Sequence, residues 1–137
     1  MHSYSVQFRI SGKDLNPDEV TRRLDLQPCQ VRIAGERRSA SQVWDESLWS
    51  YDGRATSDEA AKEWASLEDG LRHVLDKLLP KKGLIQEYTR THEAVWWCGH
   101  FQSGFDGGPT LSSSLLALLG DLGVPLFIDN YFRDEEP

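Results

Sequence analysis

The sequence predicts an α+β fold, a two-layer sandwich in which a mainly antiparallel sheet of about six strands carries three helices. Three observations predict it. Residues Ser3 to Ile10 alternate between apolar and polar, the period of a half-buried strand. Ala60, Trp64, Leu67, Leu71, Val74, Leu75 and Leu78 recur at helical spacing, the period of a helix with one buried stripe. Strand-like and helix-like segments interleave along 137 residues. That length suits one domain, expected to span 1–137 with an acidic tail at 133–137.

On the first strand Tyr4, Val6, Phe8 and Ile10 share one face, and Ser5, Gln7 and Arg9 the other. In "NPDEV", Asn16 suits the N-cap, Pro17 the first helical position and Glu19 the return bond of a capping box. Leu15, Val20 and Leu24 give this helix its stripe, and Pro28 stops it. Residues 29–41 read as a short strand and a basic loop turning at Gly35. A strand with Trp44, Trp49 and Tyr51 follows and ends at Asp52-Gly53. The long helix opens at Thr56 or Ser57, with Asp58, Glu59 and Glu63 near the positive end of its dipole. It runs to about Leu79, where Pro80 and "KKG" end it. Residues 84–91 and 93–102 read as an antiparallel pair turning at Thr91-His92. Pro109 leads the third helix, which buries Leu111, Leu115, Leu118, Leu119 and Leu122 and closes on Gly123. Val124 to Phe132 is the last strand. The interleaved order predicts ferredoxin-like split β-α-β elements.

Net charge is −7, which argues against nucleic acid and membrane surfaces as partners. No apolar run reaches the ~18 residues of a membrane span. The N-terminus enters the alternating strand directly and lacks the pattern of a signal peptide. Cys29 and Cys98 read as two buried thiols in a reducing compartment. The expected location is cytoplasmic.

Chemistry is sparse. Cys98, His100 and His92 lack the spacing of a four-ligand zinc site, so no metal and no cofactor is expected. There is no Gly-x-Ser-x-Gly elbow. Cys98 and His100 would stand side by side on a strand rather than as attacker and base. No catalytic residue is assigned. "SGFDGGPT" precedes a helix, but its glycines fit neither phosphate-binding pattern. In "GERR", Arg37 and Arg38 could grip an anion; exposed arginines are common and mostly idle.

The informative stretch is "EAVWWCGHF", Glu93 to Phe101. On a strand, Ala94, Trp96, Cys98 and His100 point one way, and Val95, Trp97, Gly99 and Phe101 the other. Both rows are largely apolar. A sheet with helices on one side needs only one apolar face. The second face therefore needs a cover: the 35–54 loop with Trp44 and Trp49, a second subunit, or another molecule.

Four blocks carry a resemblance: "SGKDLNPDEVTRRLDLQP" at 11–28, "AGERR" at 34–38 with "LWS" at 48–50, "FDGGPTLSSSLLALLGDLGVPL" at 105–126, and "IDNYF" at 128–132. With them the chain resembles a family of small bacterial proteins, domain of unknown function 4279. The resemblance implies an α+β bacterial domain and brings no catalytic residues.

Two functions follow as expectations. The first is a non-catalytic module that binds a protein partner or forms a homodimer through Trp96, Trp97, Phe127 and Tyr131; immunity proteins that occlude a toxin are an analogy. The second is a small-molecule or anion site, enzymatic or not. It would be built from Glu36, Arg37, Trp49 and Asp129, with Tyr131 beside them, in a pocket between the 35–54 loop and the last strand.

Overall fold

A computed structural model describes residues 1–54 and 63–134. Strand β1 (His2–Gly12) is the alternating segment, and its Tyr4, Val6, Phe8 and Ile10 are all buried. Helix α1 (Pro17–Leu24) begins as its sequence requires: Asn16 Oδ1 accepts from the Glu19 N–H at 3.3 Å. It ends at Asp25, which is left-handed with φ 54°, before Pro28 can act. Strands β2 (Gln30–Arg32) and β3 (Ser47–Tyr51) follow. Trp44 precedes β3, its backbone bonded to Gly35 and Glu36 in the intervening loop.

The middle of the chain corrects two expectations. Helix α2 is Leu67–Leu78, capped by Ser66, whose Oγ accepts from the Asp69 N–H at 3.3 Å. The start expected at Thr56 or Ser57 lies outside the described residues, as do Asp58, Glu59 and Ala60. Trp64 is not helical. Its backbone N–H donates to Tyr4 at 2.7 Å and its carbonyl accepts from Tyr4 at 2.8 Å. Serine competes with the helix backbone for hydrogen bonds, so it starts a helix more readily than it continues one.

Residues 84–91 are not a strand. Pro80 sits in a 3-10 turn, Leu79–Lys81, and helix α3 (Lys82–Thr91) continues from it, burying Ile85 and Tyr88. Proline breaks a helix only where its missing N–H was needed; at the first turn nothing is lost. Leu84 and Tyr88, four apart, share a face in a helix and in a strand alike, so they fit either period over so short a run.

Strand β4 (Glu93–Gln102), helix α4 (Ser113–Leu122) and strand β5 (Leu126–Phe132) complete the chain. Ser112, not Pro109, starts α4: its Oγ accepts from the Leu115 N–H at 3.2 Å. Gly123, at φ 81°, closes it as expected. Leu118 is exposed rather than buried.

The segment expected as the sixth strand is α3, so among the described residues the sheet has five strands, in the order β2-β3-β1-β4-β5. Strands β4 and β5 pair in parallel, and the other named pairs are antiparallel. Strand β2 runs parallel to β1 with β3 between them, so β1-α1-β2 is a split unit. The connection from β3 through α2 and α3 to β4 likewise encloses β1. The β4-α4-β5 unit is not split; a neighbouring parallel strand needs such a helical crossover. All of α1–α4 send residues into one core cluster with one face of this sheet. Phe8 lies between Trp49 and Trp96, edge to ring at 6.5 and 5.4 Å, and all three are fully buried.

Candidate docking face

Side chains that point away from the core form the second sheet face. Register places Gln7, Trp97 and Phe127 in one row and Gln30, Ser50, Arg9 and Val95 in the next. Gly99 lies beside Asp129, and Phe101 beside Tyr131. Two aromatic pairs result. The Trp97 and Phe127 rings meet at 4.5 Å, and the Phe101 and Tyr131 rings stack at 5.2 Å. Between them Gly99 leaves room: a Cβ there would stand 2.5 Å from Ser5 Oγ and 3.0 Å from the Phe101 ring.

Two arginines lie on these rings. The Arg9 guanidinium is 4.5 Å from the Trp97 ring centre and that of Arg133 is 3.9 Å from that of Phe101. Arg133 also holds Glu63 with two bonds, at 2.9 and 2.8 Å, and Ser3 Oγ donates to the same carboxylate at 2.6 Å. The Arg133 bonds lead in holding the Glu63 carboxyl below its ordinary pKa. Tyr131 donates its hydroxyl to Asp129. That bond, then burial and the Asp129 charge, raise the phenol's pKa. A cleft of about 350 Å³ opens at the end of this face beside Met1, Ser3, Phe101 and Arg133.

The face remains partly open. Phe127 and Tyr131 keep 42% and 43% of their surface exposed, and Trp97 and Phe101 are half-buried. The 35–54 loop, one of the three expected covers, joins β2 to β3 at the other end of the sheet from β5 and its aromatic pairs. Trp44 stays at that edge, on Arg32 and Arg38, at 4.1 and 4.9 Å. Trp49 is in the core and donates its Nε1–H to Thr21 Oγ1 at 3.0 Å.

Of the expected partner-binding residues, Trp97, Phe127 and Tyr131 come together here. Trp96 does not: it is fully buried on the helix side, because adjacent strand residues point to opposite faces. The expected ligand pocket is not assembled. Glu36 and Arg37 belong to the loop at the β2–β3 edge, Asp129 to β5, and Trp49 to the core. Cys98 is buried, and burial pushes its thiol up to about 12; His100 beside it donates to or accepts from His2 and Asn130 at 2.8 and 2.9 Å. Cys29, expected to be buried, is exposed.

Arg9, Phe101 and Arg133 were not among the expected site residues. Alternation alone puts Arg9 on a polar face of β1. Only the β1–β4 register reveals that this face is continuous with the aromatic row.

Residues 2–133 match the family described as Domain of unknown function (DUF4279). The chain belongs to that family. No curated protein and no solved structure matches it. This family member has, among its described residues, no helix long and apolar enough to cross a membrane.

Proposed function

We propose that this protein is a non-catalytic protein-binding module and that the second sheet face is its docking surface. The carrying observation is the pair of aromatic contacts across β4 and β5, Trp97 on Phe127 and Phe101 on Tyr131, left partly open to solvent. Aromatic and arginine side chains are the groups enriched at the centres of protein interfaces. Their rings are rigid, so little rotamer freedom is lost on binding. A contiguous exposed apolar patch costs free energy that a partner recovers.

The test is partner capture with the full chain against the double variant Phe127→Ser, Tyr131→Ser. Both side chains are exposed enough that the fold should survive their loss, which far-UV circular dichroism checks. The variant is expected to lose the partner. A partner held equally by both proteins would place the contact elsewhere.

A further inference from the structure

The aromatic pairs do not account for Arg9. It stands on β1, the middle strand of five. Its Nε and Nη2 both donate to Gln7 Oε1, at 3.0 and 2.8 Å. Ser50, fully buried, donates to the same oxygen at 3.0 Å. Gln7 is thereby fixed, and so is the guanidinium plane lying over Trp97. One edge of the guanidinium is used. The Nη1–Nη2 edge has no hydrogen-bond or ion-pair partner among the described residues. Arg9 is half-buried, and burial, then the charge of Arg32 on β2, lower its pKa. An acidic chain thus holds a partly desolvated cation with no carboxylate on it. That arrangement is unfavourable until an anion arrives.

We propose that the free edge of Arg9 receives an Asp or Glu side chain of a partner protein, in a segment whose neighbouring apolar residues pack on Trp97 and Phe127. This rests on the docking-face reading. A planar guanidinium fork matches a carboxylate with two parallel bonds. A ring beneath it holds it in plane while leaving that edge free. A second copy of the chain fits poorly. Arg9 stands on the middle strand, one row from Trp97 and Phe127, so a two-fold axis beside that ring pair would bring two guanidiniums near each other.

The experiment is a selection from a phage-displayed random peptide library against the full chain. Enriched peptides are expected to carry an Asp or Glu beside a large apolar residue. A synthetic copy of one should bind Arg9→Met and Arg9→Lys about tenfold or more weaker than the unaltered chain. The methionine keeps the stem; the lysine keeps the charge but not the fork. Replacing the peptide's acid by its amide should cost the same factor on the unaltered chain and nothing further on Arg9→Met. Thermal unfolding midpoints show whether both variants are folded. Peptides that lose binding on Phe127→Ser yet lack an acid, or ignore Arg9, overturn the carboxylate and leave the docking face standing. Peptides indifferent to Phe127→Ser overturn both. So does a library that yields no ligand. A dimer seen by sedimentation and abolished by Phe127→Ser overturns the carboxylate proposal alone.

Discussion

Trp96 and Trp97 are neighbours in the chain and point to opposite sides of the sheet. Trp96 is fully buried against Phe8, whereas Trp97 is half-buried under Arg9. Trp96→Ala should cost about 3–5 kcal/mol, the cost of a large cavity in a packed core. Trp97→Ala should cost less, roughly 2 kcal/mol, because its ring is only partly buried and its loss opens to solvent instead of leaving a closed cavity. Denaturant unfolding of both variants checks the contrast, and equal losses would contradict the assignment of faces. Gly99 is constrained by packing. Its missing Cβ is the space in which Ser5 Oγ accepts the Gly99 N–H at 3.1 Å. Gly99→Ala should destabilise by about 1–3 kcal/mol, as overpacking does, and should disturb the Phe101 ring, which near-ultraviolet circular dichroism would register. The cysteines also divide by face. Thiol titration of the native protein should find Cys29 alone; in guanidinium it should find both. Fast reaction of two thiols without denaturant would contradict the burial of Cys98.

At the scale of elements, helix ends rather than helix interiors decide the boundaries. Ser66 ends the extended segment of Trp64 and starts α2. Ser66→Ala should cost about 1 kcal/mol, the usual worth of such a cap, read as a lowered denaturant midpoint with an unchanged slope. Ser112 plays this part for α4 and is tied to α2 as well. Its N–H and Oγ both donate to Glu68, which also accepts from Arg72 at 3.1 Å. The start of one helix is thus fastened to the side of another. This is how α4 is held over the sheet before the chain turns into β5.

At the scale of the molecule, the acidic groups of these fastenings govern the response to pH. Glu63, bonded to Arg133 and Ser3, and Glu68, bonded first to the Ser112 amide and then to Arg72, have their pKa values lowered in the folded state. A depressed carboxyl contributes stability that is present above its unfolded pKa. It is lost as pH falls through the folded value. Stability should therefore fall in acid, beginning near the ordinary carboxylate range. Arg133→Ala should make that fall shallower, since Glu63 then loses the first cause of its shift. Thermal unfolding between neutral and acidic pH would show it; an unchanged acid limb would remove Glu63 from the account.

Much of this was legible in the sequence wherever the cause is local. The alternation of β1, the Asn16 cap, the Gly123 ending and the two rows of β4 follow from backbone geometry and side-chain direction. They need no knowledge of neighbours. The start of α2 is set by the Ser66 cap against a pattern that continues through Trp64, and residues 84–91 fit a strand and a helix alike because so short an apolar run satisfies both periods. Which period wins depends on the surface they pack against. The docking face is further from the sequence still. Trp97, Phe127 and Tyr131 could be assigned to one side of their strands, but strand order alone decides that they meet, and that Arg37 and Asp129 do not. The sequence by itself determined which residues share a side of each strand, since that is settled within a few bonds. Only the tertiary structure decided which strands are neighbours, and so set Arg9 on Trp97. Pairing is chosen by burial and hydrogen bonding summed over the whole sheet.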